Sequence, residues 1–232
     1  MSLIRNIILL ALCIVIGQES SHAKTETHIG VASIINNIVS AEKNNEEKVF
    51  TTSDKIYPGQ LIKTLLNSKV EILFKDQTIL NIGPDTEILI GSYKNHKRNP
   101  HFSLTLTRGI ARIQSGTLPS ESYEIKSPIA VVKLKGTKVD LLVSQSGGTE
   151  IVLRNGLATV TPSSVILKNS KQTSLPKDAL ILQKENTYLR LTSETLATAT
   201  PQTFQNSKRD FYDKEVQIDP EGNIQIASAN TQ

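Results

Sequence analysis

The chain has one cysteine, no tryptophan, and only five Phe and five Tyr in 232 residues. That composition leaves little room for disulfide or thiolate chemistry. The cysteine, Cys13, lies inside the N-terminal apolar run and has Leu12 before it, where a lipidation site calls for a small residue. Once that run is removed, no thiol remains to hold a metal or a crosslink, and packing alone must hold the core. No Asn-x-Ser/Thr acceptor occurs anywhere in the sequence. No apolar run reaches the ~20 residues that a membrane-spanning helix requires, since the longest, Ile7 to Ile16, has ten. Neither sign of charge dominates. The net charge of +4 is interspersed along the chain, which is a solvated surface and not a nucleic-acid footprint, so no nucleic-acid partner is expected.

The first residues, MSLIRNIILLALCIVIGQESSHAK, combine Arg5, the short apolar run, and small residues at Ser21 and Ala23. This is the pattern of a secretory signal peptide cleaved after Ala23, and it places the mature chain in the periplasm or outside the cell. Membrane association is expected only if residues 1–23 are retained.

From Ile29 to about Leu182, short alternating runs are separated by turn residues, and no helical period appears. The expected fold is all-β: a sandwich of short strands, or a β-roll or solenoid-like domain. Pro58-Gly59 suits a type II turn. Asp76-Gln77 marks a connection longer than two residues, because a two-residue loop would set Phe74 opposite Ile79. The segment IVLRNGLATV reads as a hairpin with Asn155-Gly156 as a type I′ turn, Leu153 facing Ala158, and Ile151 facing Val160. LTLTRGIARI, around Gly109, echoes it as a second strand, Gly turn, strand unit.

In IAVVKLKGTKVDLLV the apolar set moves from Val132 and Leu134 to Val139, Leu141 and Val143 across Gly136-Thr137. Such a flip needs a bulge or a corner, and a residue without Cβ serves it best. Lys133, Lys135 and Lys138 surround the flip. They are either solvated or the rim of an anion pocket.

Beyond Leu182 the texture turns polar and Thr-rich. The expected organisation is a signal peptide at 1–23, a β domain at 24–185, and a polar extension at 186–232, partly disordered or forming a small hairpin. Short helices are expected near 193–199 and 208–214. A terminal hairpin would pair Val216 and Ile218 with Ile224 and Ile226.

SPIAVVKLKGTKVDLLV followed by TEIVLRNGLATVTP resembles the signature of the FecR domain family. In that family a small or hydroxyl residue plus Pro, then Ala, then Gly-Thr, then a strand and a Gly turn recur in order, here carried by Pro128, Gly136, Thr137, Asn155 and Gly156. IYPGQLIKTLLNSKVEILFKDQTILNIGPDTEILI and FSLTLTRGIARI, with Gly109, are similar to the preceding series, so the resemblance spans about Ile29 to Pro162. Gln77 stands where the family places Gly, which implies a turn that avoids positive φ. Gln60 replaces the acidic residue after Pro-Gly. The resemblance implies an extracytoplasmic β domain, known best from transducers of iron-siderophore signals that hold a sigma factor through a cytoplasmic arm. With six residues before the apolar run and no tryptophan, this sequence is expected to lack that arm and to act as the exported stand-alone form.

Candidate chemistry is sparse. Ser174 to Lys177 and Ser40 to Lys43 have the Ser-x-x-Lys spacing, but neither lies at the helix start that the mechanism requires. Asp76, Asp85 and Asp140 read as turn or outer-face residues. His28, His96 and His101 lack convergent carboxylates, so no metal, cofactor or catalytic residue is expected. The remaining contact candidate is a basic loop of Tyr93, Lys94, His96, Lys97, Arg98 and His101. The expected partner is an envelope protein or a glycan.

Overall fold

The computed structural model describes residues 26–96, 98–163, 179–184, 187–192, 202–203, 216–218 and 224–226, and these contain strands and no helix. The helices expected near 193–199 and 208–214 lie outside the described residues.

Two half-sheets close over one core. The first begins with β3 (Glu46–Val49), β2 (Val39–Lys43), β5 (Leu61–Thr64) and β8 (Glu87–Lys94), which pair in that order. The second begins with β4 (Lys55–Ile56), β1 (Gly30–Asn36), β6 (Lys69–Phe74) and β7 (Ile79–Ile82). Three long strands then serve both: β9 (His101–Gln114), β11 (Ala130–Val143) and β12 (Thr149–Pro162).

The first part of β9 pairs with β8 and, in parallel, with β10 (Tyr123–Lys126). Its last part pairs with β7 and with the end of β11. The start of β11 lies between β10 and the end of β12, which carries β13 (Leu180–Leu182). The start of β12 carries β14 (Thr187–Leu191), and β14 carries β15 (Gln202–Thr203). The two layers meet through Phe74 of β6 and Phe102 of β9, whose rings stand edge-on at 4.8 Å.

A strand that passes from one layer to the other must change which residues face inward, and a bulge does this by adding a residue. Phe102, Leu104 and Leu106 give way to Ala111 and Ile113 in β9. Val132 and Leu134 give way to Val139, Leu141 and Val143 in β11, and Ile151 and Leu153 give way to Ala158 and Val160 in β12; all are buried in one cluster. A glycine with positive φ sits at each switch: Gly109 at 93°, Gly136 at 59° and Gly156 at 85°.

This arrangement corrects the expected Asn155-Gly156 hairpin. The four residues assigned to its inner side are buried as expected, but Asn155-Gly156 lies inside an unbroken strand that follows β11 along its whole length. The same correction applies at Gly109, where the echo unit is one kinked strand and not a turn between two.

Gln77 also departs from expectation, with φ at 68°. The connection after Phe74 closes with Gln77 N–H donating to the Phe74 carbonyl and Phe74 N–H to that of Thr78. The Asp76 carboxylate accepts from the Thr78 N–H and hydroxyl and fixes the loop, against a left-handed strain of roughly 1–2 kcal/mol. As expected, the loop exceeds two residues, and Leu73 faces Ile79. At Pro58-Gly59, Gly59 takes φ 80°, and the Gln60 side-chain oxygen accepts the Tyr57 N–H, a role open equally to the acidic residue it replaces.

The sheet continues past residue 185. Leu189 and Leu191 of β14 belong to the core, so the segment read as a polar extension supplies a packed strand. The expected terminal hairpin is present as β16 (Val216–Ile218) and β17 (Ile224–Ile226), with Val216 opposite Ile226 and Ile218 opposite Ile224.

Candidate functional site

Gly136, Thr137 and Asn155 line an open hollow of about 400 Å³ together with Gln114, Ser115 and Lys138, and Gly156 packs against the Gly136 backbone at the same corner. The Thr137 hydroxyl donates to the Leu157 carbonyl at 2.6 Å and accepts the Lys135 N–H at 2.8 Å. The Ser115 hydroxyl accepts the Thr137 N–H at 2.7 Å. These hydroxyls hold the bulge. Lys133 and Lys135 are exposed, and only Lys138 lines the hollow. At the other end of β11, Pro128 is exposed in the turn after β10. There the buried Ser127 hydroxyl accepts the Ala130 N–H.

Asp76 and Asp140 are each 1% exposed, deeper than the sequence reading placed them. Asp76 accepts from the Tyr123 hydroxyl at 2.8 Å as well as from Thr78, and Tyr123 in turn accepts the Leu118 N–H. Asp140 takes a two-pronged contact from Arg112, at 2.6 and 3.0 Å, and Arg154 reaches its Oδ2 through Nε at 2.9 Å and a terminal nitrogen at 2.8 Å. Asp85 pairs with Arg108 at the Gly109 switch. Ser40 and Lys43 bond to Glu47 and Glu26 respectively, which separates that Ser-x-x-Lys pair. Ser174 and Lys177 lie outside the described residues.

Burial is the main reason that the phenols of Tyr93 and Tyr123 are pushed up to about 12, and the Asp76 carboxylate adds to it. A tyrosine in the unfolded chain ionises near 10, so the fold holds these protons more tightly. The stability they contribute is intact below pH ~10 and is lost as the pH rises from there through 12. Melting temperature is expected to fall across that window in step with phenolate absorbance, and less steeply in Tyr123→Phe. A flat profile from pH 10 to 12 would contradict this reading.

The basic loop forms the tip of the β8–β9 hairpin, with Lys94 directly opposite His101. Lys94, His96 and Arg98 are exposed and His101 is half-buried, whereas Lys97 lies outside the described residues. Tyr93 does not face outward with them. Its half-buried ring stacks with Phe74 and meets Phe102 edge-on at 5.8 Å, because burying an aromatic ring there stabilises more than exposing it. Tyr93 therefore mounts the tip and is not part of its contact surface.

A second surface feature was missed in the sequence. Ile38, Leu65 and Leu66 are 53, 56 and 66% exposed at one end of the sandwich, where the turn after β1 meets the turn after β5. Leu65 N–H donates to the Ile38 carbonyl, Ile38 N–H to the Ser68 hydroxyl, and the Asn37 side chain to the Asn67 carbonyl. These bonds tie together the two turns that carry the three exposed apolar side chains. The available signal was the Leu65-Leu66 pair, which breaks the inside-outside alternation immediately before Asn67-Ser68.

Three long strands kinked at glycine and shared between two layers define an all-β domain of sheet-switching type. Residues 60–159 match the family model described as FecR protein, and this part of the chain is a FecR domain. Two crystal structures of a protein from Parabacteroides distasonis, described as a candidate anti-sigma factor, are similar at TM-scores of 0.48 and 0.47 with 13% identity. The likeness covers 64% of this chain and 61% of theirs. No curated relative matches the chain.

Proposed function

We propose that the chain acts outside the cytoplasm as a non-enzymatic recognition domain of the signalling type, and that its partner is a protein of the cell envelope. The observation behind this reading is the apolar end formed by Ile38, Leu65 and Leu66. Grouped large apolar side chains exposed to water are a mark of protein contact surfaces. The FecR match and the leader-like N-terminus favour an extracytoplasmic setting.

A photo-crosslinking residue placed at Leu66 in intact cells is expected to yield one discrete adduct. Leu65→Asp should abolish it, and a crosslinker at Lys133 should not reproduce it. No adduct, or the same adducts from both positions, would defeat the proposal. The mass of the exported protein separates the two modes of action. Loss of residues 1–23 fits a free binding domain, and their retention fits an anchored transducer related to the iron-siderophore regulators.

A further inference from the structure

We infer that the tip of the β8–β9 hairpin is a second contact site, and that it takes an acidic polysaccharide. From Ile88 to Thr107 the sequence contains no Asp or Glu, while Lys94, His96, Arg98 and His101 gather at the tip. Elsewhere several basic side chains find carboxylates, as Lys63 does with Glu42 and Arg190 with Glu150, while others, such as Lys133 and Lys135, stand in solvent. Among the described residues, none of these four tip side chains makes an ion pair.

The pairing within the tip points the same way. Lys94 and His101 are cross-strand neighbours, so neither faces a carboxylate across the ladder.

The mount is rigid. The residues flanking the tip, Tyr93 and Phe102, lock into Phe74 and Tyr123 by ring contacts of 4.8 to 6.5 Å. The charges therefore project from an anchored base.

The chemistry of the tip selects the class of ligand. A planar guanidinium at Arg98 suits a carboxylate or sulfate, Lys94 supplies a point charge, and Asn95 and Asn99 offer amide groups to hydroxyls. A chain of uronic acids presents both carboxylates and hydroxyls. An anionic membrane presents charge but also rewards apolar insertion, and the tip residues 94–101 include no large apolar side chain.

The test uses the full mature chain with polygalacturonate as probe, neutral dextran as control, and vesicles of mixed neutral and anionic phospholipid as the competing surface. Polygalacturonate is expected to bind and dextran not, and binding should weaken as salt rises. Lys94→Ala/Arg98→Ala should lower affinity about ten-fold or more at low salt, since charge attraction carries the contact, with the melting temperature unchanged. Lys133→Ala/Lys135→Ala removes the same charge from another exposed face and should leave affinity within about two-fold, because those lysines lie outside the site. Equal losses in the two double variants would reduce the effect to net charge and overturn the inference. So would unchanged binding in Lys94→Ala/Arg98→Ala, binding to vesicles without polygalacturonate, or binding to neither. None of these outcomes bears on the apolar end, whose crosslink is read separately.

Discussion

Gly156→Ala is expected to lose at least about 4 kcal/mol of stability, enough to prevent folding of an ordinary domain. A Cβ at Gly156 would lie 2.0 Å from the Gly136 carbonyl oxygen and 2.9 Å from the Thr137 Cα. Both contacts are to backbone, so no rotamer change relieves them, and the φ of 85° adds left-handed strain of roughly 1–2 kcal/mol. Gly136 faces it in the same corner at φ 59°, yet nothing lies within 4 Å of the place its Cβ would occupy. Gly136→Ala should therefore cost only the conformational strain, about 1–2 kcal/mol. Urea denaturation of the two variants side by side reads the difference. Similar losses in both would mean that the bulges of β11 and β12 do not pack against each other, and the sheet-switching account of the fold would fail with them.

The same pair of glycines shows where sequence ran out. The change of parity around Gly136 could be read from five apolar residues, because a period of two has no other way to stay buried. The matching change in β12 was visible too, in Ile151 and Leu153 against Ala158 and Val160, but it was assigned to a hairpin. Asn-Gly supports a positive φ in a tight turn and in a bulge alike. Only the partner decides between them, and the partner, β11, runs beside all fourteen residues of β12. Gln77 tells a related story. Its φ was judged from the missing glycine, while the hydrogen bonds of Asp76 to Thr78 hold the loop whatever residue follows the aspartate.

The surface sites divide along the same line. The basic tip was readable because its charges are neighbours in sequence, and Tyr93 was misplaced because its destination is Phe74, nineteen residues earlier and in the other layer. The apolar end unites two turns that are far apart in the chain and carry one or two apolar residues each, so no single window discloses it. Asp140 and its two arginines come from three strands and follow the same rule.

Those charges carry the second large effect. Asp140→Ala is expected to destabilise the domain by about 3 kcal/mol, because it strips two largely buried guanidiniums of the carboxylate they share. Arg112 reaches Asp140 directly across the β9–β11 register. Arg154 reaches it because the bulge in β12 leaves that residue without a Cα partner in β11, so the corner itself sets the third member of the cluster. Arg112→Lys should lose much of the same energy even though the charge is kept, since an ammonium cannot replace a two-pronged contact at 2.6 and 3.0 Å. Arg112→Met with Asp140→Leu should recover part of the loss, with a coupling of about 1–3 kcal/mol in thermal or urea unfolding. A cost below about 1 kcal/mol for Asp140→Ala, in the range of exposed pairs, would show that the cluster does not fasten the strands. If the larger cost is found, the ion pairs hold β9, β11 and β12 in register beside their glycine switches.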